Sequence, residues 1–375
     1  MFDVIVIGVG GMGSATVYEL ARRGVRVLGL EQFEIPHDRG SSHGLSRIIR
    51  LAYAEHPFYV PLLRRSYVLW RLLERKTGKR LLITTGGIDA GEPDSDTIRG
   101  SLRSCAMHDI PHVVLDARQL TDRHPGYRLP ESMVAVYQPD AGLLIPEQCV
   151  TSYVAEARRL GAEVHTSERV AEWQVRHHEV QVTTDVATYR ASRVILTAGP
   201  WVSKLLPMLQ SLAIPKRQVM LWTQPLRPEH FTPEVFPIFN MEGLGGRFYG
   251  FPSHGGSGFK IGKYHHRQEH ADPDDVDREC HPEDERVLRE GIAAYFPDAN
   301  GPALAMKVCL FTNSPDEHFI LDVHPDHPEV AIAAGFSGHG FKFCSVIGEI
   351  MAQLALEGGT SHDIGMFRLS RFATV

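Results

Sequence analysis

The first 31 residues constrain the fold more than any other part of the chain. Residues 2–7 form a short, almost wholly apolar run rich in β-branched side chains, which is typical of a strand buried on both faces. The sequence GVGGMG follows, then a helical stretch that ends at Gly24 and a second strand, VRVLGLE, that ends at Glu31. Strand, helix and strand in this order predict a parallel sheet of the Rossmann type.

The glycines of this segment predict a dinucleotide site. Gly8, Gly10 and Gly13 form GxGxxG directly after a strand and at the start of a helix. The first permits a tight turn, the second lets backbone approach a pyrophosphate, and the third lets helix and strand pack closely. Glu31 can accept hydrogen bonds from ribose hydroxyls, which favours FAD or NAD over NADP. The motif alone does not separate FAD from NAD.

Composition narrows the class of protein. The net charge of -6 gives no indication of nucleic acid binding, and no apolar segment is long enough to span a bilayer. The N-terminus lacks the pattern of a signal peptide, so we expect a cytoplasmic protein. The five cysteines are scattered without a CxxC pair, and the histidines of 265–270 lack a ligand spacing and lie in what looks like exposed loop. We therefore expect no disulfide framework and no metal site.

The patterns change along the chain. The 375 residues are too many for one simple core. Helical patterns cover 57–76, 146–160 and 282–296, whereas short strands dominate from about 215 to 263. We predict an α/β protein with a Rossmann-like nucleotide-binding domain and an inserted, largely antiparallel-sheet substrate domain. The predicted boundaries are 1–80, 146–212 and 318–375 for the first domain, and 81–145 and 213–317 for the second.

Four further motifs show a family resemblance over essentially the whole chain: GSSHGLSRIIR, GFKIG, KVCLFTNSPDEHFILD and GFSGHGFKF. With the N-terminal fingerprint, they resemble monomeric sarcosine oxidase and N-methyltryptophan oxidase. This family consists of FAD-dependent amine oxidases whose flavin is linked through its 8α-carbon to a cysteine. They oxidise secondary amino acids to imines and pass the electrons to oxygen, giving hydrogen peroxide. The resemblance implies that the nucleotide domain binds FAD.

Cys309, in the apolar run VCLFT, stands at the flavin attachment position of this family. The residues alone favour a buried core cysteine, since cysteine is among the most buried residue types. The resemblance implies instead that its sulfur is bonded to FAD.

Two arginines and a histidine precede the first long helix. Arg47 and Arg50 would share one face if HGLSRIIR were helical. Two arginines often form a solvated basic face, but isoleucine and leucine neighbours place these in an apolar setting, where arginine requires an anionic partner. The resemblance implies that Arg47 and His43 lie beside the flavin. It also implies that Arg50 and Lys342 hold the substrate carboxylate.

Lys260 alternates with Phe259 and Ile261 in a predicted strand, so it points to the opposite face. Alternation alone favours a solvent-facing lysine. The resemblance implies a lysine beside the flavin that promotes reaction with oxygen, because a fixed cation stabilises a developing anion.

The substrate pocket departs from the family pattern. Tyr249 matches a family pocket tyrosine. Tyr264 stands where the family has a histidine that contacts substrate, and Phe311 stands where sarcosine oxidase has a tyrosine. These departures affect the predicted identity of the substrate more than the predicted reaction.

The resemblance therefore predicts a complete site. A monomer would act on a small amino-acid substrate and oxygen. Two alternatives stay open, a flavin dehydrogenase with another electron acceptor and a non-catalytic flavin-binding subunit. Lys260 argues against the first, and the joint presence of the charged site residues argues against the second. The predicted cofactor contacts are Gly8, Gly10, Gly11, Met12, Gly13, Glu31, Val170, Gly199, Cys309, Gly338, His339, Gly340 and Phe341.

Overall fold

The computed structural model describes residues 1–372. Within these residues the chain forms α-helices and three sheets. The helices are α1 (Gly11–Arg22), α2 (Tyr59–Thr77), α3 (Asp96–His108), α4 (Ala117–Arg123), α5 (Pro146–Arg159), α6 (Val202–Leu205), α7 (Pro282–Tyr295) and α8 (Cys344–Glu357). The strands are β1 (Phe2–Ile7), β2 (Val27–Leu30), β3 (Arg47–Ile49), β4 (Leu82–Thr84), β5 (Gly87–Gly91), β6 (Val113–Asp116), β7 (Val134–Gln138), β8 (Gly142–Leu144), β9 (Glu163–His165), β10 (Val170–Arg176), β11 (Glu179–Thr184), β12 (Thr188–Leu196), β13 (Ile214–Thr223), β14 (Ile238–Gly243), β15 (Gly246–Phe251), β16 (Phe259–Lys263), β17 (Ala303–Asn313), β18 (Ile320–Val323) and β19 (Val330–Ala334).

The first sheet holds the predicted Rossmann core. Its strands run in the order β10-β11-β12-β1-β2-β9, and β19 joins the second half of β12 and pairs with β18. β1 lies parallel to both β2 and β12. Val4 and Val6 pack in the cluster that includes α1 and α8, whereas Ile5 and Ile7 pack on the opposite side. Both faces of β1 are therefore buried, as its apolar sequence predicts.

The second sheet is built largely of antiparallel pairs in the order β17-β13-β16-β15-β14-β5-β7-β6. Only the pair of β14 and β5 is parallel among the pairs of this sheet in residues 1–372. One face packs against α7 through an aromatic cluster that includes Phe239, Phe248, Phe259 and Phe296. On the other face, Tyr249 and Phe251 belong to a cluster with Ile48 of β3 and Leu143 of β8. The predicted α/β fold with a largely antiparallel second sheet is confirmed.

The segment around Arg47 differs from the helix considered above. It forms β3, which pairs with β8, and β4 completes this small third sheet. In extended backbone, residues three apart do not share a face, so the two arginines diverge. The condition for a shared face is therefore not met, because Ile48 and Ile49 are buried by sheet pairing rather than on a helix.

The sheets draw on separate parts of the chain. The first sheet takes its strands from 2–30, 163–196 and 320–334, and the second takes its strands from 87–138 and 214–313. The domain boundaries given above stay a prediction. No helix within residues 1–372 is both long and apolar enough to cross a membrane.

Candidate active site

The glycine turn after β1 is shaped by close backbone contacts. Gly8 has a φ of +89°, which favours glycine. A Cβ on Gly13 would lie 1.8 Å from the carbonyl oxygen of Gly8, so a side chain cannot fit where α1 meets β1. The hydroxyl of Thr197, at the end of β12, donates to the same oxygen at 2.7 Å. The Thr-Ala-Gly sequence that follows β12, residues 197–199, therefore packs directly on the turn.

Glu31 closes this turn from the neighbouring strand. Its Oε2 accepts a hydrogen bond from the Val9 amide at 2.8 Å, and its Oε1 accepts one from the Phe33 amide at 3.2 Å. The side chain is buried, and burial raises its pKa despite these bonds. The predicted contact of Glu31 with a ribose stays a prediction.

A long cavity opens from the turn, with an empty volume of about 1290 Å³ that includes open solvent. The cavity begins at the glycine turn, where the phosphate of a dinucleotide would meet the start of α1. The side chains of Arg47 and Phe311 also reach it. The predicted cofactor residues that line it are Gly8, Gly10, Gly11, Met12, Glu31, Val170, Gly199, Gly338, Gly340 and Phe341.

Three predicted cofactor residues are outside this lining. Gly13 lies behind the turn, where it permits close packing. The ring of His339 is held between Tyr53 Oη, 2.6 Å from Nδ1, and the carbonyl oxygen of Glu317, 2.9 Å from Nε2. The His339 side chain therefore belongs to the protein interior, not to the cavity wall.

Cys309 is the third of these residues. It is buried in β17 beside Met220 and Trp222, and the next residue, Leu310, lines the cavity. Its Sγ lies 3.7 Å from Nη2 of Arg47, which also reaches the cavity. The thiol is therefore one residue removed from the cavity wall and next to a cation of that wall.

Arg47 contributes a positive charge to the cavity wall, and His43 is buried near it without lining the cavity. Carbonyl oxygens of Ser41 and Ser46 each accept a hydrogen bond from the Arg47 guanidinium at 2.8 Å. Burial, and secondly the charge of Arg47, lowers the pKa of His43 to about 3. The imidazole is therefore neutral at physiological pH.

Lys260 is buried with 1% of its surface exposed, so the solvent-facing interpretation is wrong. It points away from Phe259 and Ile261, as strand alternation predicts. Its Nζ donates to the carbonyl oxygens of Gly44 at 2.6 Å and Ser46 at 2.9 Å. Burial, followed by repulsion from Arg47, lowers the pKa of Lys260 well below its usual value.

Arg50 lies at the centre of a separate buried charge cluster. Its Nη2 donates to Oε2 of Glu55 at 3.0 Å, and its Nε lies 3.4 Å from Oδ1 of Asp89. Arg247 Nη1 lies 3.5 Å from the other oxygen of Glu55. Although burial alone would raise it, Arg50 and Arg247 hold the pKa of Glu55 well below its usual range. The guanidinium of Arg50 thus has the anionic partners that its burial requires.

Lys342 borders the same cluster. It is 3% exposed, and its Nζ donates to the carbonyl oxygen of His339 at 2.7 Å. Burial and the neighbouring charge of Arg50 lower its pKa to about 7. This ammonium therefore titrates near neutral pH and gains from any added anion.

The aromatic residues predicted for the pocket pack together. The ring of Tyr264 lies 5.3 Å from that of Tyr249 and 5.8 Å from that of Phe311, measured between centroids. All three belong to one apolar cluster on the face of the second sheet opposite α7. Phe311 also lines the cavity, so this cluster connects the cavity with the Arg50 region.

Sequence reasoning missed four polar residues of this region: Glu55, Asp89, Asn240 and Arg247. Two of them could have been recognised from sequence patterns. Asp89 interrupts the apolar strand GIDAG, and Arg247 lies two residues before Tyr249, so it shares a strand face with a predicted pocket residue. Glu55 follows no strand or helix pattern, and its role depends on tertiary packing.

Residues 1–372 hold no group of three or more His, Cys, Asp or Glu side chains placed to bind a metal. The exposed-loop interpretation of the histidine segment is wrong for His266. Its ring is buried, with Nε2 at 2.9 Å from Asp284, because the segment folds back onto the start of α7.

Comparisons with known proteins agree with this geometry. The model of the family described as FAD dependent oxidoreductase matches residues 3–354. Monomeric sarcosine oxidase of Streptomyces avermitilis is 44% identical, over 99% of this chain and 98% of its own length. N-methyl-L-tryptophan oxidase of Yersinia pestis is 34% identical, over 99% of each chain. The solved structure of NikD, an unusual amino acid oxidase, superposes with a TM-score of 0.85 at 26% identity, over 98% of this chain and 97% of that one.

Proposed function

Because the chain belongs to the family of FAD dependent oxidoreductases, we propose that it is an oxidase of N-methyl or cyclic secondary amino acids. The products are an imine, which water hydrolyses, and hydrogen peroxide. One observation carries the proposal: cationic side chains suited to a carboxylate, Arg50 and Lys342, lie across an aromatic cluster from the cavity bordered by Arg47. The names of the relatives support this substrate class.

The residues of the cavity fit FAD. The crowded turn at Gly8 and Gly13 packs α1 closely on β1, and Gly10 and Gly11 line the cavity at the start of α1, where their backbone can approach a pyrophosphate. Glu31, Val170 and Gly199 would contact the nucleotide half of FAD. Gly338, Gly340 and Phe341 would contact its ring end. When bound, FAD supplies the two-electron acceptor of the reaction.

Charge balance in the Arg50 cluster supports binding of one carboxylate. With Lys342 protonated, the cluster holds the cations Arg50, Arg247 and Lys342 against the anions Glu55 and Asp89. One substrate carboxylate makes the cluster neutral. Two parallel donors from Arg50 would require its Nη2 to exchange Glu55 for the substrate, and guanidinium geometry favours such bidentate pairing.

The imidazole and the carboxylate beside the cluster are poor bases, and the proposal uses Lys342 as the ammonium that binds the substrate carboxylate. The pKa of His339 is lowered to about 4 by burial, and ion pairing holds the pKa of Glu55 low. A substrate ammonium would therefore have to lose its proton before or during binding. This chain's contribution to the oxidation step is to bind the amine as its free base and fix its carboxylate.

Lys260 and Cys309 complete the proposal. Lys260 is held rigidly by backbone oxygens, and as an ammonium it would stabilise the negative charge that develops on oxygen. Its lowered pKa makes its charge depend on neighbouring anions.

Cys309, one residue from the cavity wall, would carry FAD covalently. We also propose a cytoplasmic monomer, a state that the name of the Streptomyces avermitilis relative supports.

A screen of secondary amino acids for peroxide release tests the proposal. We expect sarcosine, another N-methyl amino acid or a cyclic secondary amino acid to release peroxide in proportion to the amine consumed. Substrate-dependent reduction of a dye, without peroxide in air, would favour the dehydrogenase. A flavin that no member of the panel reduces would favour the non-catalytic subunit.

A further inference from the structure

The pocket face of the second sheet carries polar groups that the proposed chemistry does not use. Asn240 is 1% exposed, and it faces away from the aromatic cluster that contains its neighbours Phe239 and Met241. It lies opposite Tyr249 in the β14–β15 pair. Its Nδ2 donates to Asp89 at 3.1 Å, but its buried Oδ1 has no hydrogen-bond partner within residues 1–372. A buried acceptor without a donor is costly, which points to a ligand that supplies one.

Arg247 offers the complementary groups. It alternates with Phe248 in β15, so its side chain lies on the face that carries Tyr249. Its guanidinium stacks 4.1 Å above the ring of Tyr264. The Arg247 side chain is 21% exposed, and the nearest carboxylate oxygen, on Glu55, lies 3.5 Å from its Nη1, so its donors are open to a ligand. The stacked plane holds these donors in place beside the pocket tyrosines.

Asn240 and Arg247 lie on the same face of two paired strands. Asn240 pairs with Tyr249, and Glu242 pairs with Arg247, so Asn240 and Arg247 are diagonal neighbours on one face. The backbones of diagonal cross-strand neighbours lie about 7–8 Å apart, within reach of long side chains, so one primary amide can contact both residues. Its oxygen would accept from Arg247, and its N–H would donate to Asn240.

The charge balance of the Arg50 cluster favours a neutral group on the substrate side chain over a charged one. The Arg50 cluster becomes neutral when it binds a single carboxylate, as argued above. A second carboxylate beside Glu55 and Asp89 would leave an uncompensated buried negative charge. Resting on the proposed function, we infer that Arg247 and Asn240 determine specificity by binding a neutral amide on the side chain of a secondary amino-acid substrate.

Three nearly isosteric substrates test this inference: the N-methyl derivatives of asparagine, aspartate and leucine. We expect the holoenzyme to use the asparagine derivative with a kcat/KM about tenfold to hundredfold above that of the leucine derivative, because hydrogen bonds to a charged group discriminate by this amount. The aspartate derivative should also be poorer than the asparagine derivative. Arg247→Met and Asn240→Leu should each lower the asparagine-to-leucine ratio at least fivefold. The matched control Arg286→Met, on the exposed side of α7, should leave the ratio unchanged.

Both kcat/KM values of a ratio are measured on the same variant, so a smaller fraction of folded enzyme leaves the ratio unchanged. Equal use of the asparagine and leucine derivatives, preference for the aspartate derivative, or a ratio unaffected by Arg247→Met would overturn the inference. Oxidation of sarcosine without oxidation of the asparagine derivative would also overturn it, and the proposed function would stand. If no secondary amino acid reduced the flavin, the proposed function itself would fail.

Discussion

The pKa of Lys342 makes carboxylate binding depend on pH in a calculable way. Burial and the charge of Arg50 lower this pKa to about 7. A bound carboxylate stabilises the ammonium, so binding requires protonation of the free protein wherever the lysine is neutral. The sign follows directly: affinity is full below pH 7 and falls as the pH rises above it.

The size of the effect follows from proton linkage. If only the ammonium form binds, the Kd of a carboxylate is multiplied by 1 + 10^(pH − pKa), which is about 1.1 at pH 6 and about 11 at pH 8 for a pKa near 7. If the neutral amine of Lys342 still donates a hydrogen bond to the carboxylate, the Kd stops rising at high pH. Since a charge-assisted bond is worth about 1.5–3 kcal/mol, the plateau lies about 10- to 150-fold above the low-pH value.

The assay is titration with 2-furoate, a carboxylate without an oxidisable amine, followed by the flavin absorbance change or by calorimetry. Because the probe does not titrate between pH 6 and 9, only the protein contributes to the dependence. Lys342→Met removes the titrating group, so its Kd should be weak and nearly independent of pH. A Kd for the unmodified protein that stays constant from pH 6 to pH 9 would refute the assignment of Lys342 to the carboxylate.

Three other predictions concern single residues. FAD should stay with the protein after acid denaturation, and Cys309→Ala should release it; acid-soluble flavin from the unmodified, fully loaded protein would contradict the covalent bond. Arg50→Ala should raise the Kd of 2-furoate by about 10- to 150-fold while the flavin spectrum of the free enzyme changes little, since a charge-assisted bond is lost. An unchanged Kd would remove Arg50 from the carboxylate site. Lys260→Met should slow the reaction of reduced enzyme with oxygen about 10²–10³-fold and spare anaerobic reduction, as stopped-flow measurement of both half-reactions can show; normal reoxidation would reject the role.

Local rules allowed much of the fold to be predicted from the sequence. The strand, glycine turn, helix and acidic strand end of the first 31 residues form the predicted parallel unit because each part follows short-range chemistry. The predicted helices at 57–76, 146–160 and 282–296 correspond to α2, α5 and α7 with small shifts at their ends. Strand alternation also gave the correct direction of Lys260.

The site was less accessible to prediction, because it depends on pairing between distant segments. Arg50 meets Asp89 only where the end of β3 approaches β5, and periodicity within one segment cannot show that contact. Alternation alone could not show that Lys260 is buried, because it gives a direction but not what covers that face. The burial of His266 against Asp284 likewise arises from a loop that folds back on α7.

Anaerobic titration of the holoenzyme with secondary amino acids, followed by admission of oxygen, tests the proposed oxidase function most directly. We predict that sarcosine or another secondary amino acid bleaches the oxidised flavin absorbance, and that oxygen restores it with about one equivalent of peroxide per flavin, as two-electron cofactor chemistry requires. A flavin spectrum that no member of an N-methyl and cyclic amino-acid panel changes would contradict the proposed function.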